Sequence, residues 1–259
     1  MRRVRVAVYA APTVDLIDGV KRPGGPLLYA REASRLLPWA EALPGCEARP
    51  AVFEHYVEGD KRSSRLIRPP GHCRPLTIDA EVGLIAPVAD ELSVDDTIRA
   101  ALLHSTIVLD LQGFARLALS DGTVSNSGPV ALSRASYVAS ASRLAAVKAS
   151  DEDLGKGLTL PTPPKGVGLV VTMGRRGAVL LYGGQCCWYR PGRGIDADTI
   201  GAGDMFSFYL AAFLAAGRSI DEAVREAVTY TEKALARRIG LRMEGGAEPR
   251  RLPGCGYCL

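Results

Sequence analysis

The chain has 259 residues, of which 47% are apolar, so it can bury a large core as one α/β domain with a small appendage. No apolar run approaches the roughly 18 residues that a membrane span needs. The formal charge of +4 is modest, and the arginines are scattered rather than gathered into a stripe. Composition therefore argues against membrane and nucleic-acid partners, and it favours a cytoplasmic protein with a small, anionic ligand.

Side-chain amides are scarce, because Asn126, Gln112 and Gln185 are the only ones in the sequence. This bias is typical of thermophiles. Intracellular proteins of hyperthermophiles are an exception to the rule that cytosolic thiols stay reduced, so the six cysteines can include disulfides. Cys255 and Cys258 form a Cys-x-x-Cys pair without a second close pair, which disfavours a zinc site.

The first half of the chain predicts an α/β unit followed by a small sheet. A buried strand is predicted over Val4 to Ala10 and a helix over Pro26 to Leu43. Two strand-like runs, Arg49 to Val57 and Arg62 to Arg68, predict a hairpin. Further strands predicted for the same small sheet are Leu76 to Ile78 and Gly83 to Ala86. We interpret this sheet as a lid, with strands from about 12–25 and 49–80, on a single domain over 1–259.

Strands and helices alternate in the second half. Ser93 is a predicted helix N-cap, with Asp95 and Asp96 in the first turn, where the helix dipole favours negative charge. The elements predicted after it are strands at Thr106 to Asp110, Leu144 to Lys148 and Val167 to Met173, helices at Phe114 to Leu119, Pro129 to Tyr137, Asp151 to Leu154, 203–217 and 219–238, and a hairpin of Ala178 to Tyr182 with Gln185 to Arg190. The alternation predicts a mostly parallel sheet covered on both faces, with ligands at the carboxyl ends of its strands.

Two glycines and an aspartate stand directly before a strongly apolar helix, in the run DTIGAGD from Asp198 to Asp204. Amides at a helix N-terminus bind anions, so those of Gly201 to Gly203 can stabilise charge on a transferring phosphoryl group. Asp204 can accept the proton of a substrate hydroxyl that attacks phosphorus. Spacing alone is equally compatible with a tight turn followed by a first-turn acidic residue.

The DTIGAGD run resembles the C-terminal signature of the ribokinase-like (PfkB) family of carbohydrate and nucleoside kinases. Gly24 and Gly25 resemble the paired glycine that opens the first long helix of that family, and Asp15 resembles its aspartate after strand one. The run from Val170 to Val179 is similar to the family's threonine-containing strand and glycine turn. The resemblance extends from about residue 5 to residue 240. It implies a ribokinase-like α/β fold with a small, reduced β lid, ATP as phosphoryl donor and Mg²⁺ as metal.

The resemblance also implies roles for individual residues. The implied catalytic residues are the general base Asp204 and the anion hole of Gly201, Ala202 and Gly203. The implied ligands of the substrate hydroxyls are Asp15, Gly24 and Gly25. The implied nucleotide ligands are Thr172, Gly174 and Arg116, although Arg116 also fits a surface arginine on a short helix. Asp198 either helps to bind a monovalent cation such as K⁺, as in some members, or caps the turn that follows.

The chain departs from the family at one motif, because Ser150 and Asp153 replace the usual Asn-x-x-Glu. Glu152 or Asp153 is expected to hold magnesium-bound water there. The Lys148-Ala-Ser150 segment and the run VFEHY from Val52 to Tyr56 look more like the myo-inositol kinase branch than like ribokinase. The three histidines, His55 among them, fit no metal-ligand spacing.

The sequence therefore predicts an ATP-dependent kinase acting on a hydroxyl of a small sugar or polyol, with myo-inositol or a related carbohydrate as first candidate. A nucleoside kinase is an alternative, because Tyr29, Phe53 and Tyr56 can supply an aromatic platform for a base. The altered Ser150 and Asp153 motif keeps open a non-catalytic, kinase-like binding module. The exposed edge of the lid sheet predicts a homodimer surface.

Overall fold

The structure, a computed structural model, describes residues 3–58, 61–155, 162–192, 195, 198–241 and 246–251; Cys255 and Cys258 lie outside them. The described strands are β1 (Val4–Tyr9), β2 (Thr13–Ile17), β3 (Val20–Gly24), β4 (Ala40–Pro44), β5 (Cys46–Glu47), β6 (Ala51–Glu58), β7 (Lys61–Arg68), β8 (Arg74–Pro75), β9 (Val82–Ile85), β10 (Thr106–Asp110), β11 (Arg116–Ala118), β12 (Val124–Asn126), β13 (Ala146–Ser150), β14 (Gly168–Thr172), β15 (Ala178–Tyr182), β16 (Gln185–Arg190) and β17 (Glu248–Arg251). The described helices are α1 (Pro26–Ser34), α2 (Val94–Leu102), α3 (Gln112–Ala115), α4 (Gly128–Ala141), α5 (Asp151–Leu154), α6 (Ala202–Ala215) and α7 (Ile220–Arg238), with a 3₁₀ turn at Gly174–Arg176.

The main sheet has the strand order β17-β16-β15-β14-β13-β10-β9-β1-β4 over the described residues. Its neighbours from β4 to β14 pair in parallel, and β15, β16 and β17 are added antiparallel at one edge. The predicted α/β class with a mostly parallel sheet is confirmed. Parallel strands end at one edge of a sheet, so the residues after β1, β9, β10, β13 and β14 meet there.

Helices cover both faces of this sheet. On one face α1, α6 and α7 enclose an apolar cluster that includes Val6, Met205 and Val224. On the other face α2 and α4 enclose a second cluster, which includes Ile107 and Val138. Helix α6 is buried along most of its length and is apolar on nearly all sides, as a helix packed between a sheet and two other helices must be. Its N-terminus is therefore held in a fixed place.

A second sheet, which we call the lid, has the strand order β3-β2-β6-β7. The predicted hairpin is confirmed, because β6 pairs antiparallel with β7. The prediction that Gly83 to Ala86 extends the lid is wrong: β9 lies between β1 and β10 in the main sheet. All four residues of β9 are buried, and an unbroken buried run is the pattern of a central parallel strand rather than of a lid strand. Leu76 to Ile78 forms no strand.

Two predicted helices are shorter than expected. The first ends at Ser34 rather than Leu43, and Ala40–Pro44 forms the edge strand β4 beside β1. Pro38 explains the break, because proline cannot donate a backbone hydrogen bond and disfavours helix at the residue before it. The predicted helix from Phe114 to Leu119 ends at Ala115, after which β11 pairs with β12 around a turn containing Asp121-Gly122.

The cysteines bear out the expectation of a disulfide. Cys46, in β5, is bonded to Cys73, which directly precedes β8. Cys186 and Cys187, on neighbouring positions of β16, are both buried. In the part of the chain that the structure describes, every helix is too short or too polar to cross a bilayer.

Candidate functional site

The DTIGAGD run forms the entry to α6. Gly201 is the N-cap residue in a left-handed conformation, with φ of 75°, which glycine adopts readily. The Ala202 amide donates to the Thr199 carbonyl at 3.0 Å, so it is already paired. Among the described residues, the amides of Gly203 and Asp204 have no backbone partner. The helix N-terminus therefore presents two open donors beside a carboxylate, and only one of them was predicted.

Asp204 lies in the first turn of α6 and is 9% exposed. Its Oδ1 atom is buried and has no hydrogen-bond partner within the described residues. Burial and the nearby Asp110 charge raise its pKa to about 7, against the opposing effects of Lys148 and Arg116. A buried carboxylate with one unpaired oxygen and a pKa near neutrality is suited to accept a proton.

A buried ion pair that the sequence did not predict lies behind this turn. Lys148, on β13, places Nζ 3.0 Å from Oδ2 and 3.3 Å from Oδ1 of Asp110, the last residue of β10. The Ser207 hydroxyl of α6 donates to Oδ2 of the same carboxylate at 2.7 Å. Burial acts to lower the pKa of Lys148, but the charges of Asp110, Asp153 and Asp204 outweigh it and raise that pKa. The ammonium therefore stays charged among these carboxylates.

Tyr29 connects α1 with the entry to α6. Its ring lies over Gly201 so closely that a Cβ at Gly201 would be 2.3 Å from ring carbon atoms. Burial raises the pKa of Tyr29 to about 12, with smaller contributions from the charges of Asp15 and Asp204. Glycine is therefore required at position 201 by this contact as well as by its backbone conformation.

Asp15 lies on the lid strand β2 and is buried. His55, on the adjacent strand β6, places Nε2 3.4 Å from Asp15 Oδ1, and its Nδ1 lies 2.8 Å from the Ser64 hydroxyl. Gly24 faces the same carboxylate: a Cβ there would be 2.4 Å from Asp15 Oδ2. Gly25 is the N-cap residue of α1. The paired glycine and the aspartate thus come together as predicted, and His55 joins them.

A cleft of about 170 Å³ opens beside these residues. The residues lining it are Asp15, Ile17, Arg22, Pro23, Tyr29, Asp198, Ile200 and Arg238. Pockets for drug-sized ligands have volumes of about 300–1,000 Å³, so this cleft is smaller. A small, polar ligand suits its size and its charged walls.

The residues predicted to bind nucleotide are spread along the carboxyl edge of the main sheet. Thr172 ends β14, where its hydroxyl donates to the Ala149 carbonyl at 3.3 Å, and Gly174 opens the 3₁₀ turn. Arg116 is half-buried, donates to the Val88 carbonyl at 3.1 Å and lies 5.3 Å from the centre of the Phe53 ring. Its charge lowers the pKa of Asp204. Arg116 is therefore partly buried against the lid residue Phe53.

Ser150 and Asp153, which replace the family's Asn-x-x-Glu, form a capping box for α5. The Asp153 amide donates to the Ser150 hydroxyl at 3.0 Å, and the Ser150 amide donates to Asp153 Oδ2 at 2.8 Å. Glu152 between them is exposed. The described residues contain no group of three or more His, Cys, Asp or Glu side chains arranged to hold a metal. Asp153 is therefore engaged in the helix cap, and Glu152 is the freer of the two carboxylates.

Asp198 caps the turn before α6, one of the two roles considered for it. Its Oδ1 accepts a hydrogen bond from the Ile200 amide at 3.0 Å. The carbonyls of Asp198 and Ile200 both accept from Nη1 of Arg238, at 3.0 and 2.8 Å. Arg238 was not predicted, because it lies at the end of α7, far from the motif in sequence.

Sequence comparison connects parts of the chain with known kinases. A profile of the phosphomethylpyrimidine kinase family matches residues 165–249. Inositol 3-kinase from Zea mays is 33% identical over 141 residues, which make up 54% of this chain and 36% of the maize protein. The chain therefore aligns with about a third of the length of this curated relative.

Solved structures with the same architecture cover nearly the whole chain. A pyrophosphate-dependent kinase in the ribokinase family, complexed with a pyrophosphate analogue and myo-inositol, has a TM-score of 0.59 at 15% identity and covers 90% of this chain and 94% of its own. Ribokinase from Arabidopsis thaliana, complexed with ribose and ATP, has a TM-score of 0.59 at 14% identity, with coverages of 91% and 93%. Phosphofructokinase-2 from Escherichia coli, in complex with potassium, has a TM-score of 0.57 at 15% identity, with coverages of 91% and 93%.

Identities this low establish the fold and leave the chemistry to the residues of the site. The fold and the partial sequence similarity together confirm the resemblance predicted from the glycine motifs: this chain has the ribokinase fold and is similar to an inositol kinase over about half of its length.

Proposed function

We propose that this protein transfers the γ-phosphoryl group of ATP to a hydroxyl of a small sugar or polyol, with myo-inositol or a related carbohydrate as first candidate. The observation that carries the proposal is the buried Asp204 carboxylate, with a pKa of about 7, at the open N-terminus of α6. Asp15 and the paired glycine lie on the lid side of the same region. A base, an anion-binding helix end and polar acceptor ligands are the parts that phosphoryl transfer to an alcohol needs.

In the proposed reaction the acceptor oxygen forms a bond to phosphorus while the bond from phosphorus to the leaving ADP oxygen breaks. The hydroxyl proton passes to Asp204. The amides at the start of α6, with Gly203 as the open donor, stabilise the charge on the transferring group. Lys148 lies beside them: its Nζ would be 3.2 Å from a Cβ at Gly203. Its positive charge lowers the pKa of Asp204.

The remaining residues divide between acceptor and donor. We assign Asp15, Gly24 and Gly25 to the acceptor hydroxyls, because Asp15 lines the cleft and the paired glycine lies beside its carboxylate. We assign Thr172, Gly174 and Arg116 to the donor, because they lie at the carboxyl edge of the main sheet. Mg²⁺ bound with the donor would neutralise phosphate charge, and Glu152 or Asp153 would orient its water ligands.

A nucleoside acceptor receives less support from the lid. Phe53 is 2% exposed and packs beneath Arg116, so its ring is not available to stack on a base. Tyr56 is half exposed and hydrogen-bonds to Glu54. Of the three aromatic residues considered, Tyr29 lines the cleft. One aromatic side chain above a small cleft suits a carbohydrate ring better than a nucleobase with its attached sugar.

The test is phosphoryl transfer with magnesium and ATP over a panel of myo-inositol, ribose, fructose, ketodeoxygluconate and nucleosides. The same panel is run with pyrophosphate as donor, because one structural neighbour is named as pyrophosphate-dependent. Turnover with a sugar or polyol supports the proposal. Turnover with nucleosides alone favours the alternative kinase, and no turnover with any pair favours a binding module.

The acidity of Asp204 predicts the pH dependence of turnover. A general base must be deprotonated, so kcat/KM for the acceptor should rise with pH and level off above about 7. Below that value it should fall about tenfold per pH unit. The control is the residual activity of an Asp204→Asn variant, which should not rise with pH near 7. A rise that persists in this variant would come from ionisation of the donor rather than of Asp204. A flat wild-type profile across neutrality would contradict the assignment.

Gly24→Ala should weaken acceptor binding more than it weakens the fold. The added Cβ would be 2.4 Å from Asp15 Oδ2 and 2.5 Å from the Thr13 hydroxyl, and both side chains can rotate away. Loss of one hydrogen bond to a charged group is worth about 1.5–3 kcal/mol, so KM for the acceptor should rise at least about tenfold. The matched control is Val20→Ala in the same β2–β3 hairpin, because the Val20 side chain is exposed. Equal KM values in the two variants would remove Asp15 from the acceptor site.

We also propose that a second copy of the chain binds at the lid. Strand β3 is the edge of the lid sheet, and four of its five residues are exposed. An open, exposed edge strand is a surface for pairing with another strand. Light scattering on the purified protein measures the oligomeric state directly.

A further inference from the structure

Arg238, in the last turn of α7, ties the turn before α6 to helix α1. Its Nη1 donates to the carbonyl oxygens of Asp198 and Ile200, at 3.0 and 2.8 Å. Its Nε and Nη2 donate to the two carboxylate oxygens of Glu32 on α1, at 2.8 and 3.0 Å. The guanidinium therefore joins three segments that are distant in sequence, and one of them leads directly into Gly201.

The pair of carbonyls is the kind of site that a monovalent cation would take. Carbonyl oxygens that converge from a short loop replace the hydration shell of such an ion, and the resemblance implied a cation at Asp198. Here the oxygens converge on a guanidinium nitrogen, and Oδ1 of Asp198 accepts from the Ile200 amide. A second cation at the same oxygens would be repelled by the arginine at close range. These residues do not fit K⁺.

We propose that Arg238 is a positioning residue that serves as a tethered cation for the turn before the Gly201–Gly203 anion hole, so that this protein works without a monovalent cation. The inference rests on the proposed kinase function for its kinetic test and on the contacts alone for its stability test. Glu32 allows the guanidinium to take the place of a bound cation. A bidentate carboxylate fixes the plane of the guanidinium, and a lysine could not contact both the carboxylate and the two carbonyls.

The surroundings of Arg238 agree with a permanent charge. The hydrogen bonds that Arg238 donates to Glu32 raise its pKa, against a smaller opposing effect of burial. Its side chain is 20% exposed and lines the cleft, 5.8 Å from the centre of the Tyr29 ring. Tyr29 in turn covers Gly201. Displacement of the guanidinium would therefore reach the anion hole both through the turn and through this ring.

The experiment compares wild type, Arg238→Ala and Arg238→Lys in chloride salts of K⁺, Na⁺ and choline at equal ionic strength. Wild-type turnover should be the same in all three salts. Arg238→Ala should lose about 10²-fold in kcat, the size expected when a reacting geometry slips by about 1 Å. K⁺, or guanidinium at a non-denaturing concentration, should restore part of that loss. Arg238→Lys keeps a cation near the carbonyls, so its kcat should lie between those of wild type and Arg238→Ala.

Thermal unfolding in the same salts gives a readout that needs no substrate. The unfolding temperature of wild type should not distinguish K⁺ from choline, whereas that of Arg238→Ala should be raised by K⁺. The matched control is Arg237→Ala, the exposed neighbour on α7, which should behave as wild type. If wild type proves inactive with every acceptor, the kinase proposal fails but this arm still decides the role of Arg238.

Three results would overturn the inference. One is a wild-type protein whose turnover or unfolding temperature responds specifically to K⁺. Another is an Arg238→Ala variant that keeps wild-type turnover and shows no response to K⁺ or guanidinium. A variant that is merely less stable, with no salt specificity in either readout, also counts against a tethered cation, because a purely structural ion pair would give that result.

Discussion

Asp204→Asn is expected to lose about 10³-fold or more of turnover and yet to give a more stable folded protein at neutral and alkaline pH. The loss follows because an amide cannot accept the hydroxyl proton, and general base catalysis is worth about 10²–10⁴-fold. The gain follows because burial opposes the charge of Asp204 in the folded state. Function and stability should therefore move in opposite directions at this residue.

The stability change has a defined sign with pH. The folded protein binds the Asp204 proton more tightly than the unfolded chain does, since the pKa rises from 3.8 to about 7. The contribution of Asp204 to the free energy of unfolding of wild type should therefore fall as the pH rises from about 4 to about 7. At 1.36 kcal/mol per pKa unit, the full difference approaches about 4 kcal/mol. Asp204→Asn removes this dependence, so its advantage should be largest above pH 7 and should vanish towards pH 4.

Denaturant unfolding at several pH values measures the free energy of unfolding, and initial rates measure turnover. Asp95→Asn is the matched control, because Asp95 is an exposed, first-turn acidic residue of α2. It should leave turnover unchanged and should not stabilise the protein as pH rises. Full activity in Asp204→Asn would remove Asp204 as the base. If Asp204→Asn is instead less stable than wild type above neutral pH, then the ionised Asp204 carboxylate makes stabilising contacts within the ligand-free protein.

Local patterns were sufficient to predict much of the fold. The unbroken apolar run ending at Met173, the Gly183-Gly184 turn and the apolar helix after Gly203 all specify their own structure. Predictions were wrong where a long-range pairing decided the outcome. Residues 40–44 continue a helical pattern, but they become an edge strand because β1 offers a parallel partner. The four residues of β9 are too few to show a period, and their place between β1 and β10 decides their role.

The candidate site divides in the same way. Asp204, Gly201, Gly24 and Asp15 were found because each belongs to a short motif. His55, Arg238 and Lys148 were missed because their partners are distant in the sequence. Arg238 lies 40 positions from Asp198 and 206 from Glu32. Lys148 lies 38 positions from Asp110, and His55 pairs with Asp15 on the neighbouring strand. Lys148 alone carried a local signal: a lysine inside an otherwise apolar strand needs a buried partner.

That lysine leads to the second large expected effect. Lys148→Met should destabilise the protein by about 3–5 kcal/mol, because it leaves the Asp110 carboxylate buried without its counter-ion. Lys148 and Asp110 are 2% and 1% exposed, so solvent cannot replace the lost charge. The same change should raise the pKa of Asp204 above about 7, because Lys148 now lowers it. The pH at which turnover reaches half its maximum should therefore shift to the alkaline side.

The double variant Lys148→Met with Asp110→Asn separates these two effects. Neutralising Asp110 removes the buried, unpaired charge, so the free energy of unfolding should recover most of its loss. It also removes the charge that raises the pKa of Asp204, so the pH midpoint should return towards the wild-type value. Denaturant unfolding and kcat/KM profiles on wild type, the single variant and the double variant measure both quantities. Wild-type stability in the single variant would mean that the ion pair is not formed. A pH midpoint unmoved by either change would mean that the pair supports the α6 entry mechanically, through Ser207, rather than by setting the charge of Asp204.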